Sequence, residues 1–124
     1  MLKDSFFTVK EVVRAEVEAT YRVALNSGHP IFLAHFAGNP VMPGACIAQM
    51  VKELSEDFLS AKFFIGIVKN MKFLKVISPD ENPEVSVQMV YTTQDDGDIS
   101  VSTVIRDGES VFSKAVLVLK PVKK

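Results

Sequence analysis

The chain has 124 residues and a mass of 13.7 kDa, a length that predicts one domain with a core of ordinary size. Its 14 Lys and Arg residues nearly balance its 15 Asp and Glu residues, so the formal charge of -1 gives no reason to expect a nucleic acid partner. Hydrophobic residues make up 48% of the chain, a content that argues against a disordered protein.

The composition also limits the compartment and the cofactors. Residues 1–7 contain no apolar segment long enough for a signal peptide, and no later segment approaches the length of a membrane span. A single cysteine, Cys46, excludes an intrachain disulfide and a cysteine-based zinc cluster. The two histidines lack the spacing of metal ligands, and no nucleotide-binding glycine loop is present. We therefore expect a cytoplasmic protein without a metal ion and without membrane insertion.

The N-terminal part of the chain predicts strands. Residues 6–13 have mixed polarity and suit a short strand or the start of a turn. Residues 15–25 alternate between apolar and polar side chains, which is the period of a half-buried strand. The sequence Asn-Ser-Gly-His-Pro at residues 26–30 ends this strand. We expect His29, in that turn, to be exposed and without a catalytic role.

The sequence HFAGNPVMPG at residues 35–44 predicts a constrained loop that leads into a helix. Pro40 and Pro43 restrict φ and disfavour helix in the residues before them. Pro43 suits a helix start, and Gly44 leaves its N–H open because no Cβ covers it. Such N–H groups favour partial negative charge, so the loop predicts a carbonyl or anion site beside His35. A histidine that only caps or packs in an ordered loop is an equally good explanation of the residues.

Residues 43–59 have the spacing of an amphipathic helix. Its apolar face consists of Cys46, Ile47, Met50, Val51, Leu54 and Phe58. Lys52, Ser55 and Glu56 are expected on the opposite, polar face. The helix should therefore pack one broad face on a sheet, with Cys46 as a small core residue because no basic neighbour is visible to make it a thiolate.

The remaining sequence predicts strands joined by short turns. Residues 62–75 suit a long or bent strand, and residues 84–91 alternate in polarity. Gln-Asp-Asp-Gly at residues 94–97 and Asp-Gly at residues 107–108 predict two hairpin turns between the last three strands. Short turns imply antiparallel neighbours, so the predicted fold class is α+β, one long helix packed on an antiparallel sheet.

The segment at residues 35–44, followed by a helix, resembles the active-site segment of the β-hydroxyacyl-acyl-carrier-protein dehydratases of type II fatty-acid synthesis, which have the hot-dog fold. The resemblance extends to NMKFLKVISPD at residues 70–80 and to the closing hairpin at residues 107–117, and it covers nearly the whole chain. It implies a single hot-dog domain over residues 1–124, an antiparallel sheet wrapped around one long central helix. It also implies dimers whose sheets join edge to edge, with the active sites at the interface, a pairing that would cover an exposed strand edge.

The resemblance assigns roles to three residues. His35 matches the histidine that removes the α-proton of the β-hydroxyacyl thioester. Gly44 matches the glycine whose N–H holds the thioester carbonyl, and Val41 matches the residue whose backbone carbonyl orients the histidine. These roles agree with the chemistry expected of the loop, where a base lies beside donors aimed at developing charge. The resemblance implies no cofactor, since the substrate is carried on the phosphopantetheine of acyl-carrier protein.

Gln49 departs from the family pattern, which has Glu or Asp at this helix position as the catalytic acid supplied by the opposite subunit. Glutamine can hold a hydroxyl but cannot deliver a proton, and the loss of a general acid costs about 100- to 10,000-fold in rate. Three explanations stay open. Glu53, one turn along the helix, replaces the acid; His35 acts as both base and acid, on an easier substrate or slowly; or a paired homologous subunit supplies the acid.

Three functions are compatible with these residues. The leading hypothesis is a lyase that dehydrates β-hydroxyacyl groups on acyl-carrier protein to trans-2-enoyl products in fatty-acid or polyketide-like synthesis. The second is a catalytically impaired auxiliary or acyl-binding subunit of a heterodimer, and the third is an acyl thioesterase in which Gln49 positions water. The expected partners are acyl-carrier protein or an acyl thioester and, in a homodimer or a heterodimer, a second hot-dog chain.

Charge suggests where a carrier protein would bind. Carrier proteins of this pathway are acidic, and four lysines cluster in and around the predicted strand at residues 62–75. They are Lys62, Lys69, Lys72 and Lys75. We interpret Lys72 and Lys75 as a candidate carrier-protein contact, although a solvated strand face is the simpler explanation.

Overall fold

The computed structural model describes residues 2–34 and 42–122 of the chain. In these ranges the elements follow one another as β1 (Phe7–Arg14), β2 (Glu18–Leu25), α1 (Pro30–Ala34), α2 (Gly44–Leu59), β3 (Phe63–Phe73), β4 (Glu84–Thr93), β5 (Ile99–Asp107) and β6 (Ser110–Pro121). The strands form one antiparallel sheet in the order β1-β2-β4-β5-β6-β3. Neither of the two helices in this part of the chain is long and apolar enough to cross a membrane. The predicted α+β class is confirmed.

The inner face of the sheet and one side of α2 form a common apolar core. Alternate side chains of a strand point to the same face, so Val85, Val87 and Met89 of β4 are all fully buried. Of the predicted apolar helix face, Cys46, Ile47, Met50, Val51 and Leu54 are buried. Cys46 is a core residue as predicted, and burial raises the pKa of its thiol.

Ser55 lies in the core and not on the polar helix face where the pattern places it. It is fully buried, and its hydroxyl accepts a hydrogen bond of 2.9 Å from the Tyr91 hydroxyl of β4. The Phe58 ring stacks on the same tyrosine, with the ring centroids 5.0 Å apart. The prediction for Ser55 is wrong because a small hydroxyl with a fixed partner is buried at little cost.

The strand β2 is shorter than the alternation in the sequence predicts. The pattern starts at residue 15, whereas β2 begins at Glu18, and Val17 is 55% exposed. The Ala15 N–H donates to Glu18 O at 2.9 Å and closes the turn after β1. The first residues of the pattern are therefore used to reverse the chain between two paired strands.

The short helix α1 is not predicted by the sequence, and His29 explains how it begins. The His29 Nδ1 accepts a hydrogen bond of 3.0 Å from the Ile31 N–H. The imidazole also meets the Phe6 ring edge-on, with the ring centroids 5.3 Å apart. The expectation of an exposed histidine is therefore wrong, since the ring is half-buried and caps the helix.

The strand β3 forms one edge of the sheet and exposes apolar side chains. Within the described ranges it pairs only with β6, and two register shifts bend it, as predicted for a long or bent strand. Large hydrophobic side chains along this edge and just after it are between 44% and 70% exposed: Phe64, Ile67, Val68, Phe73, Leu74 and Val76. An exposed apolar strand edge of this kind favours pairing with another chain.

Truncation of Leu54 tests the packing of α2 on the sheet. Leu54 is fully buried, so Leu54→Ala removes buried carbon atoms and leaves a cavity. We expect the free energy of unfolding to fall by about 2–5 kcal/mol in urea denaturation. Val17→Ala, at an exposed position, is the control and should change it by less than about 0.5 kcal/mol. Equal losses for the two variants would contradict this packing.

Candidate active site

Helix α2 begins at Gly44, and no side chain caps it. Pro43 is the N-cap residue, with φ -67° and ψ 149°. Its carbonyl accepts hydrogen bonds from the Cys46 and Ile47 N–H groups at 3.0 and 3.2 Å. No described residue accepts a hydrogen bond from the N–H of Gly44 or Ala45. These two donors are therefore available to a ligand at the positive end of the helix.

Gly44 lies against the edge strand. A Cβ at this position would be 2.8 Å from Phe73 Cζ and 3.7 Å from Met71 Sδ, so a glycine allows the helix start to approach β3. The Met42 N–H donates to Ile77 O at 2.8 Å and ties the chain before the helix to the segment after β3. The predicted carbonyl-binding position thus lies beside the sheet edge formed by β3.

Two predicted site residues, His35 and Val41, lie outside the described residues. The structure describes the chain up to the end of α1 at Ala34 and again from Met42. The roles of His35 as base and of the Val41 carbonyl as its orienting group therefore stay predictions.

Gln49 and Glu53 lie one turn apart on α2 and are joined by a hydrogen bond. The Gln49 Nε2 donates to Glu53 Oε2 at 2.8 Å. Glu53 is only 3% exposed, and it also accepts the Leu2 N–H at 3.0 and 2.8 Å and the Lys3 N–H at 2.8 Å. The buried carboxylate therefore holds the N-terminal segment against α2 and engages the amide of Gln49.

These hydrogen bonds determine the charge of Glu53. Burial acts to raise the pKa of its carboxyl, but the donors on Leu2, Gln49 and Lys3 outweigh burial and lower the pKa below the usual 4.5. The group is therefore ionised at neutral pH and enclosed by donors. Such a carboxylate has no proton to give, which argues against Glu53 as a replacement for the family's acid.

Sequence reasoning missed the structural role of Glu53. The available signal was its position between Met50 and Leu54 on the helix, since a residue flanked by buried neighbours at i-3 and i+1 lies near the buried face. The partners on Leu2 and Lys3 are about 50 residues away along the chain, and no local pattern predicts them.

The predicted carrier-protein contact lies at the same sheet edge as Gly44. Lys72 and Lys75 are exposed, and Lys72 is directly opposite Lys114 of β6. Like charges opposite each other in a strand pair repel. No carboxylate in the described part of the chain forms an ion pair with any of these three lysines. The edge therefore carries positive charge that no ion pair with a described carboxylate neutralises.

A second polar cluster lies at the other end of α2. The Tyr21 hydroxyl donates to Asp57 Oδ2 at 2.6 Å, and Arg14 Nη2 lies 3.2 Å from the same oxygen. Burial and the Asp57 carboxylate together raise the pKa of Tyr21 above its usual value. This cluster ties β1 and β2 to the helix end. No group of His, Cys, Asp and Glu side chains within residues 2–34 and 42–122 is arranged to hold a metal ion.

Acid denaturation tests the charge state of Glu53. Because folding lowers its pKa, the carboxylate adds stability that is complete above the usual pKa of 4.5 and is lost as the pH falls through the lowered value. At neutral pH we expect Glu53→Gln to be less stable by about 1–3 kcal/mol in urea denaturation. The difference should shrink as the pH falls from about 5 towards 3.

The control for this experiment is Glu109→Gln, in the exposed turn between β5 and β6. It removes one carboxylate without changing the contacts of α2 and should keep the stability of the native chain at neutral pH. A pH-independent difference between Glu53→Gln and the native chain would contradict an ionised Glu53.

Solved structures share this architecture. The dehydratase heterocomplex ApeI:P from Xenorhabdus doucetiae matches with a TM-score of 0.66 and 15% identity, over 90% of this chain and 96% of that chain. A hypothetical thioesterase with coenzyme A from Streptococcus pneumoniae matches with a TM-score of 0.66 and 9% identity, over 95% and 87% of the two chains. Identities this low show the fold alone, and the fold is the predicted hot-dog fold.

Sequence comparison shows the family. The chain is 31% identical to the 3-hydroxyacyl-acyl-carrier-protein dehydratase FabZ of Lactiplantibacillus plantarum over 98 residues, which are 73% of this chain. The match spans 65% of the length of that relative, slightly under two thirds. The family model of the ApeI dehydratases matches residues 11–114. The predicted dehydratase family is therefore confirmed, and the chain belongs to the ApeI-like dehydratases.

Proposed function

We propose that the protein dehydrates β-hydroxyacyl thioesters of acyl-carrier protein to trans-2-enoyl products, in fatty-acid or polyketide-like synthesis. The observation that carries this proposal is the uncapped start of α2, where Gly44 lies against the edge strand β3. Membership of a dehydratase family supports it. The name of the L. plantarum relative supports the choice of a 3-hydroxyacyl group on acyl-carrier protein.

The first step of the proposed reaction makes a carbanion next to the thioester. The carbonyl oxygen accepts a hydrogen bond from the Gly44 N–H, and the positive end of the helix stabilises the charge that develops there. The His35 imidazole takes the α-proton as a general base, and the Val41 carbonyl orients the ring. The electrons of the broken C–H bond stay on the α-carbon and the carbonyl group. They form the double bond in the second step, when the β-hydroxyl leaves.

The second step needs a proton for the departing hydroxyl. The Gln49 amide can hold this hydroxyl by hydrogen bonds but cannot protonate it. Glu53 is ionised and enclosed, so the imidazolium of His35 returns the α-proton and the leaving group departs as water. His35 therefore both removes the α-proton and delivers it to the leaving hydroxyl, so no other proton donor is needed. We expect slower turnover than in a relative with a carboxylic acid at the position of Gln49.

The proposed assembly is a dimer joined along β3. Its exposed apolar side chains would be covered, and the helix start at Gly44, in contact range of Phe73, would lie in the interface. The proposed partners are of two kinds. The substrate partner is acyl-carrier protein or an acyl thioester, and the partner in the dimer is a second hot-dog chain. Location in the cytoplasm and the absence of a cofactor stay predictions.

An auxiliary subunit of a heterodimer is the second candidate function. It is favoured by Gln49, since no carboxyl group among the described residues next to this amide carries a proton. The X. doucetiae structure is a dehydratase heterocomplex, which supports the idea of a partner chain that supplies the acid. The acyl thioesterase hypothesis has the support of a shared fold only.

Turnover of a β-hydroxyacyl thioester, followed through the conjugated enoyl product, tests the proposed reaction. We expect slow turnover by the native chain and none by His35→Ala. Gln49→Glu should raise the rate by up to about 100- to 10,000-fold. The new carboxyl group would lie beside ionised Glu53, and the like charge would raise its pKa and keep a proton ready for the leaving group.

The control for Gln49→Glu is Gln49→Ala, which removes the amide and supplies no acid. If only Gln49→Glu forms the enoyl product and the native chain forms none, the auxiliary subunit is favoured. Free thiol released without enoyl product would favour the thioesterase. No enoyl product from any variant would contradict the dehydratase.

Charge reversal tests the carrier-protein contact. Lys72→Glu combined with Lys75→Glu should weaken binding to an acidic acyl-carrier protein by about 10-fold at low salt, and the loss should shrink as salt screens the charges. Fluorescence anisotropy with a labelled carrier protein measures both effects. Lys10→Glu on β1, at the opposite edge of the sheet, is the control and should bind like the native chain. Unchanged affinity in the double variant would exclude this contact.

A further inference from the structure

Glu53 has no role in the proposed reaction. It is hydrogen-bonded to Gln49, however, and Gln49 does have a role. Its carboxylate is almost fully buried, and three donors surround it. Two of these donors are backbone N–H groups, on Leu2 and Lys3. The third is the side-chain amide of Gln49, at the position where the family has its acid.

The carboxylate decides which end of the Gln49 amide faces it. An ionised carboxylate only accepts hydrogen bonds, so the NH₂ group must point towards Glu53. The reverse orientation would place Oε1 about 2.8 Å from a carboxylate oxygen, with two acceptors and no proton between them. The carbonyl Oε1 of Gln49 is therefore directed away from Glu53.

We propose that Glu53 is a positioning residue that locks Gln49 with Oε1 presented to the ligand, so that Gln49 binds the β-substituent as a hydrogen-bond acceptor. For the identity of the ligand this inference rests on the proposed function. A β-hydroxyl group carries a proton that it can donate to Oε1. A β-oxo group of nearly the same size has only lone pairs to offer, and the two oxygens repel.

The locked amide thus gives selectivity at the β-carbon. A buried acceptor that loses its partner costs free energy, so sites built for a hydroxyl discriminate against analogues that lack one. We expect a β-hydroxyacyl thioester to bind at least about 10-fold more tightly than the β-oxoacyl thioester of the same chain length. The chain would in this way prefer the reduced compound over its oxidised precursor.

Binding of the two thioesters to variants that cannot turn over tests the role of Glu53. In the His35→Ala background we expect the preference for β-hydroxyacyl-pantetheine over β-oxoacyl-pantetheine, measured by calorimetry. Adding Glu53→Gln frees the amide to rotate and should bring the ratio of the two dissociation constants close to one. Adding Gln49→Ala should do the same, and Glu53→Gln should change the ratio no further once Gln49 is absent.

Ser55→Ala is the control, since it removes another buried hydrogen bond of α2 and leaves Gln49 untouched. It should keep the preference. If Glu53→Gln weakens the binding of both thioesters equally, Glu53 only supports the fold, and the inference is overturned. Equal binding of both thioesters to the His35→Ala chain would overturn it as well.

The side-chain amide signals of Gln49 in NMR spectra test the lock without any ligand. We expect these protons to exchange slowly with water in the native chain, with the assignment made by their loss in Gln49→Ala. Fast exchange in the native chain would overturn the lock even if Glu53→Gln fails to fold. Slow exchange in a chain that binds neither thioester would leave the lock intact and count against the proposed function.

Discussion

The burial of one side of α2 against the inner face of the sheet determines where every described site residue lies. Leu54 and Met50 are fully buried, and this sets the rotation of the helix about its axis. With that rotation fixed, Ser55 meets Tyr91, and Glu53 meets the N-terminal segment. Gln49, one turn earlier, is then within hydrogen-bonding distance of Glu53. The packing of the core thus determines the hydrogen bond that Gln49 makes.

The position of the helix start against β3 connects the site to assembly. Gly44, whose N–H has no acceptor among the described residues, lies close to Phe73, on the strand with the exposed apolar edge. A second chain paired along β3 would cover this edge and exclude water from the helix start, which would strengthen the hydrogen bond to a carbonyl oxygen. The edge strand carries Lys72, and Lys114 lies opposite it on the neighbouring strand β6, so an acidic partner would approach close to the site.

Local patterns predicted most of the fold, and contacts distant in sequence account for the errors. The alternation in β4 and the spacing of α2 are set by neighbours along the chain, so they were predictable. Ser55, His29 and Glu53 were not, because their states depend on Tyr91, Phe6 and the N-terminal backbone. At the site, the loop residues predicted a carbonyl site at Gly44, and the family resemblance added the role of Gln49. The partner that orients Gln49 became visible only in the folded chain.

We propose that the chain has a base, His35, and a carbonyl site at Gly44 but lacks a separate proton donor. The most direct test is exchange of the α-proton of a β-hydroxyacyl thioester in heavy water, followed by mass spectrometry. With His35 as the only proton carrier, the carbanion is often reprotonated before the hydroxyl leaves, and an imidazolium N–H that has exchanged with heavy water then returns deuterium in place of the α-proton. We therefore expect deuterium in the unreacted substrate with the native chain and none with His35→Ala. No incorporation with the native chain, or equal incorporation with His35→Ala, would contradict the account.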